Sequence, residues 1–66
     1  MRLIHTETKG SITVKVYYCN EWQEYQNKVY INGEYKPEQT SYTDDKQDAI
    51  DTAKLILHRL IAQATS

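Results

Sequence analysis

The residues able to do chemistry in this chain are few. His5 and His58 are the histidines, the side chains that exchange a proton near neutral pH, and Cys19 is the one thiol. General acid–base or nucleophilic catalysis needs a base within hydrogen-bond reach of the group it activates. The histidines stand at opposite ends of the sequence and neither has a serine or cysteine beside it, so each reads as a surface residue. Cys19, His5 and His58 also lack the Cys-x-x-Cys or His-x-x-x-His spacing by which one local turn presents paired zinc ligands. Asp44, Asp45 and Asp48 form an acidic cluster without the glycine and terminal glutamate of a calcium loop, and helix capping accounts for it. Only Gly10 and Gly33 occur, too few for a phosphate-cradling loop, and each fits a hairpin turn better. The expectation is a protein that is not an enzyme and takes no cofactor and no metal.

What the chain does hold is amphipathic rings. Six tyrosines and one tryptophan occur with no phenylalanine, so every large ring carries a polar handle suited to a half-wet surface. Lys15, Tyr17, Trp22, Lys28, Tyr30 and Tyr35 are the candidate partner-binding residues. A protein partner is the first expectation, because tyrosine and tryptophan bury much area at small entropic cost. Nucleic acid is the alternative, using the same polar sheet face. Eight basic and nine acidic side chains give a net charge of −1, which lacks the basic footprint of non-specific phosphate binding but allows a local patch. The bland reading is a solvated face in which Tyr17 and Tyr30 pair across strands and the lysines keep the protein dissolved.

Size bears on partners too. A chain of 66 residues hides only about 60% of its unfolded surface on folding, and a lone cysteine cannot form an internal bridge. Cys19 reads as a small apolar strand residue in a reducing compartment. Binding a partner, or a second copy as a homodimer, is an expected way to bury more apolar surface. The segment Met1-Arg2-Leu3-Ile4-His5 runs straight into alternating polar residues, so neither a signal sequence nor a membrane span is expected, and the reading is a cytoplasmic protein.

The elements that must position these side chains are legible from periodicity. In Ser11–Asn20, Ile12, Val14, Val16 and Tyr18 fall on one side of a strand and Thr13, Lys15, Tyr17 and Cys19 on the other. Arg2 to Thr8 is rich in β-branched residues and Lys9-Gly10 is a turn signal, so a hairpin joins the first strands. After a loop around Asn20-Glu21-Trp22-Gln23, Tyr25, Asn27, Val29 and Ile31 alternate with Gln26, Lys28 and Tyr30. Asn32-Gly33 is the preferred pair for a type I′ turn into a fourth strand from Glu34. Pro37 makes that strand either an edge or an interrupted one. From about Asp45 the period becomes 3.6, gathering Ala49, Ile50, Ala53, Ile56, Leu57, Leu60, Ile61 and Ala64 on one helix side. Asp44 or Asp45 caps it, Lys54, His58 and Arg59 lie toward its negative end, and Leu55 faces outward. The fold expected is α+β, a single domain over 1–66: a three- to four-stranded antiparallel sheet over about 2–43, followed by one long C-terminal helix over about 45–64, packed on one face. The polar side of the sheet then gathers Thr13, Lys15, Tyr17, Gln26, Lys28 and Tyr30, while the outer helix side with Leu55 and His58 is the other surface open to a partner or a dimer seam.

The stretch V-Y-I-N-G-E-Y-K-P, followed by Y-T-D-D-K-Q-D-A-I-D-T-A-K, resembles the strand, Asn-Gly turn, strand and alanine-paired helix of several small folds. It resembles the arm-binding domains of phage integrases and the plant-type AP2 domain, which implies a sheet entering the major groove with Lys15, Tyr17, Lys28 and Tyr30 as readers. Those families usually line the sheet with arginines, whereas this region offers Lys15, Lys28 and Lys36 together with Glu21, Glu24 and Glu34. The plan is also similar to small phage-encoded inhibitors of bacterial RNA polymerase and to anti-CRISPR proteins, which implies a phage or mobile-element protein that inhibits or adapts a larger host complex. Antitoxin domains whose strands precede an E-A-x-x-x-A helix share the same order. Fold-level likeness assigns no function by itself.

Overall fold

The computed structural model describes residues 1–65, with side chains through residue 63. Strands β1 (Arg2–Lys9), β2 (Ile12–Cys19), β3 (Glu24–Ile31), β4 (Glu34–Tyr35) and β5 (Ser41–Thr43) precede one helix, α1 (Lys46–Thr65). The sheet runs β1-β2-β3-β4, and β5 joins the same edge of β3 as β4, all pairs being antiparallel. The α+β plan read from periodicity is the plan of the molecule.

Both two-residue hairpins rest on residues that accept positive φ. Gly10 (φ 61°) turns β1 into β2, closing on the pair Lys9 and Ile12. Asn32 (φ 54°) and Gly33 (φ 80°) turn β3 into β4, closing on Ile31 and Glu34, as a type I′ turn requires. The β2–β3 connection is longer, and its last residue, Gln23, is held at φ 51°.

Pro37 interrupts the fourth strand. Tyr35 stands opposite Tyr30 and Ser41 opposite Asn27, so six steps on the returning chain cover three steps on β3. The surplus is a 3₁₀ turn at Pro37–Gln39, entered where the Lys36 amide donates to the Val29 carbonyl (2.8 Å) and closed by the Thr40 amide donating to the Pro37 carbonyl (3.1 Å). Proline at the first turn position loses no ladder bond there, and the chain rejoins β3 as β5.

Local chemistry starts α1 where expected, with Asp45 as the cap: its Oδ1 accepts from the Asp48 amide (3.1 Å), and its own amide donates to Thr43 Oγ1 (3.3 Å). Ala49, Ala53, Ile56 and Leu57 are buried against Ile12, Val14, Val16 and Val29, while Ile50, Leu60 and Ile61 are half-buried and Leu55 is exposed. Ala49 and Ala53 bring the helix backbone close to the sheet, so the layer between them is thin. Ala64, the last residue of the expected stripe, lies outside the described side chains. No basic side chain occupies the last turn of α1, so Lys54, His58 and Arg59 stand too far back to meet its negative end. No helix among the described residues is long and apolar enough to cross a membrane.

Candidate binding face

The strand register decides which side chains meet on the face away from α1. Val14 stands opposite Val29 and Ile12 opposite Ile31 on the helix side, so the alternate pairs Thr13–Tyr30, Lys15–Lys28 and Tyr17–Gln26 lie on the outer side. Strand β1 adds Thr8, Thr6 and Leu3 beside Thr13, Lys15 and Tyr17; β4 adds Tyr35 beside Tyr30, and β5 adds Tyr42 beside Gln26. A bulge between Leu3 and His5 shifts the alternation of β1 by one residue, so Leu3 joins Thr6 and Thr8 on the outer side while Ile4 packs against the core.

The face is a lattice of rings and ammonium groups. Lys15 Nζ lies 5.0 Å from the Tyr30 ring centroid, and Lys28 Nζ lies 5.1 Å from that of Tyr17 and 5.9 Å from that of Tyr35. Tyr30 and Tyr35 pack with centroids 5.4 Å apart and ring planes tilted by 40°, and the Tyr35 hydroxyl shares a hydrogen bond with Thr40 Oγ1 (3.0 Å). Each cation–ring contact is worth about 0.5–1 kcal/mol at an exposed site. Five of the six candidates, Lys15, Tyr17, Lys28, Tyr30 and Tyr35, are thus brought together. Trp22 is not among them: it stands in the β2–β3 loop, 72% exposed, without a ring contact among the described residues. Tyr17 and Tyr30 do not pair across strands, because the register sets Gln26 opposite Tyr17 and Thr13 opposite Tyr30. Tyr42 (61% exposed), which the sequence offered as an extension of this surface from the loops, joins the face from β5, and Leu3 (48%), which sequence reasoning left off it, extends it from β1.

The balance of charge also differs from the count along the chain. Glu34 stands opposite Ile31, placing it on the helix side, where its carboxylate takes Lys36 Nζ at 3.1 Å. Of the acidic strand residues, Glu24 alone falls on the outer side, in the last row, opposite Cys19. Cys19 itself is buried, which makes it a packing residue.

Elsewhere the titratable groups that gather lack a nucleophile beside them among the described residues. His5 Nε2 meets Glu7 Oε2 at 2.6 Å on β1, and His58 is exposed on α1. Glu7 and His58 line one shallow groove of about 310 Å³ with Lys9, Lys54 and Leu57, which contains no hydroxyl or thiol to activate. No group of three or more His, Cys, Asp or Glu able to hold a metal ion occurs among the described residues. No protein-family model matches the chain, nor does any curated protein or any solved structure.

Proposed function

We propose that the protein is a non-catalytic protein-binding module whose contact surface is the outer sheet face. The observation that carries this reading is the ring lattice: Tyr17, Tyr30 and Tyr35 stand fixed around Lys15 and Lys28 on a face that α1 leaves uncovered. Rings already ordered by the sheet lose little entropy on docking, which is why preorganised tyrosines serve as anchors. The lattice spans only roughly 15 by 15 Å at ordinary strand and row spacings. A stable protein interface buries about 800 Å² on each partner, so Leu3 and Tyr42 on the same face extend the footprint. Blocking or adapting a larger complex is the kind of task such a module performs without chemistry of its own.

The test is capture from a bacterial lysate with and without nuclease, followed by Tyr17→Ala and, at the thinly attached β4, Tyr35→Ala. A partner that survives nuclease and binds the variants more weakly by about 1–3 kcal/mol supports the reading. Retention lost on nuclease treatment favours nucleic acid instead, a reading that draws on Lys15 and Lys28 making no ion pair among the described residues.

A further inference from the structure

We propose that the outer face takes the carboxylate groups of an acidic protein segment, received at Lys15 and Lys28; this rests on the protein-binding reading above and narrows the partner's chemistry. The two lysines are directly opposite each other on β2 and β3, an arrangement that opposes folding because like charges stand at neighbouring positions. Neither finds a counter-charge among the described residues. The ion pairs among the described residues are His5 with Glu7 and Lys36 with Glu34, and neither Lys15 nor Lys28 donates a side-chain hydrogen bond. The tyrosine rings seat the ammonium groups but accept no strong hydrogen bond from them, so donors suited to an anion remain on a half-buried, preorganised site. A carboxylate laid between the lysines cancels their repulsion and accepts from either, while Tyr17, Tyr35, Leu3 and Tyr42 offer the surrounding apolar contact.

Charge favours a protein over a nucleic acid as the source of the anion. Contact with two phosphates gives a salt slope of only about −1.4 to −1.8, too little for useful non-specific affinity. A phosphate backbone continuing along β3 past Lys28 meets Glu24 two rows on, roughly 13 Å away at ordinary strand rise. Isolated carboxylates on a protein end where the lysines end.

The probe is a random dodecapeptide display library, selected against the wild-type protein, against Lys15→Gln/Lys28→Gln and against Tyr17→Ala, with fluorescent oligothymidylate as a separate arm. Expected are peptides enriched in Asp and Glu whose recovery falls about tenfold or more on the lysine variant, a loss equivalent to a tenfold change in affinity. Neutral or basic peptides that still need Tyr17 overturn the carboxylate assignment and leave the protein-binding reading standing, as does acidic enrichment that the lysine variant keeps. Tighter binding of oligothymidylate than of any selected peptide, or no peptide that depends on Tyr17, overturns both. Circular dichroism melts of the variants separate loss of binding from loss of fold.

Discussion

Asn27 stands where Val16 across the ladder and Val29 two residues on would lead one to expect a third valine. It is 1% exposed; its Nδ2 donates to the Ala49 carbonyl (3.1 Å), tying β3 to the first turns of α1, while its Oδ1 has no hydrogen-bond partner among the described residues. A half-satisfied buried amide gains one bond and leaves one acceptor desolvated, so its net effect is small although its removal leaves a hole. Asn27→Ala is expected to destabilise by about 1–3 kcal/mol and Asn27→Leu, which keeps the volume and removes the stranded acceptor, to lie within about 1 kcal/mol of wild type in urea unfolding. Equal losses in both variants would show that the tie to Ala49 governs. At Lys15 and Lys28 two small effects oppose: relief of like-charge repulsion, about 0.2–1 kcal/mol, against loss of a cation–ring contact of about 0.5–1 kcal/mol. Lys15→Gln and Lys28→Gln are therefore each expected to change stability by less than about 0.5 kcal/mol. Four of the six candidate side chains followed from alternation alone, because a period of two puts Lys15 with Tyr17 and Lys28 with Tyr30 whatever the partner strand does, while Tyr35 needed the Asn-Gly turn to bring it beside Tyr30. Which of them stand opposite was not legible, since the register depends on a four-residue loop, Asn20 to Gln23, whose closing geometry no turn signature announces.

At the scale of elements, the returning strand is where sequence and structure part. The Asn-Gly turn, the capping aspartate and the helix stripe as far as Ile61 are local or periodic signals, and each sits where it was read. That the chain leaves β3 at Lys36 and rejoins the same edge at Ser41 is a tertiary fact, because a proline signals the break but not the return. The surplus of three residues makes a sharp prediction. Deleting Pro37, Glu38 and Gln39 restores unbroken counting along β3, setting Thr40 opposite Lys28 and leaving Ser41 and Tyr42 on the faces they already occupy. The deleted protein is expected to fold with one continuous fourth strand, seen as cross-strand NOEs between Thr40 and Lys28 and added amide protection there; unfolding on deletion would show that the 3₁₀ turn is itself needed. Gly33 offers a conformational control, since a Cβ placed there meets no atom within 4 Å. At φ 80° an L-residue is strained regardless of space, so Gly33→Ala is expected to destabilise by about 1–2 kcal/mol in the same urea titration.

For the whole molecule the governing fact is a two-layer body in which one face of the sheet stays uncovered. One helix covers one side of the sheet, and the largest fully buried side chains are Val14, Val16, Val29 and Asn27, so the core is shallow and made of small groups. A scaffold of this size without a disulfide or metal among its described groups holds only about 3–5 kcal/mol of folding free energy. Against so small a reserve, a partner that binds only the folded state is conspicuous: at a hundredfold excess over Kd it adds about 2.7 kcal/mol. With about 4–8 °C of Tm per kcal/mol for a domain this small, the expected rise is roughly 10–20 °C, and the Lys15→Gln/Lys28→Gln protein is expected to start from nearly the same Tm and show little of that rise. Self-association that stacks the outer faces with their lysines in register is disfavoured, because it would bring Lys15 and Lys28 of both copies together. The Tm of the protein alone is therefore expected to be independent of its own concentration over a hundredfold range. A Tm that climbs with concentration would instead reveal a homodimer and place its seam on a different surface, where the outer side of α1 around the exposed Leu55 is the first to test by Leu55→Glu.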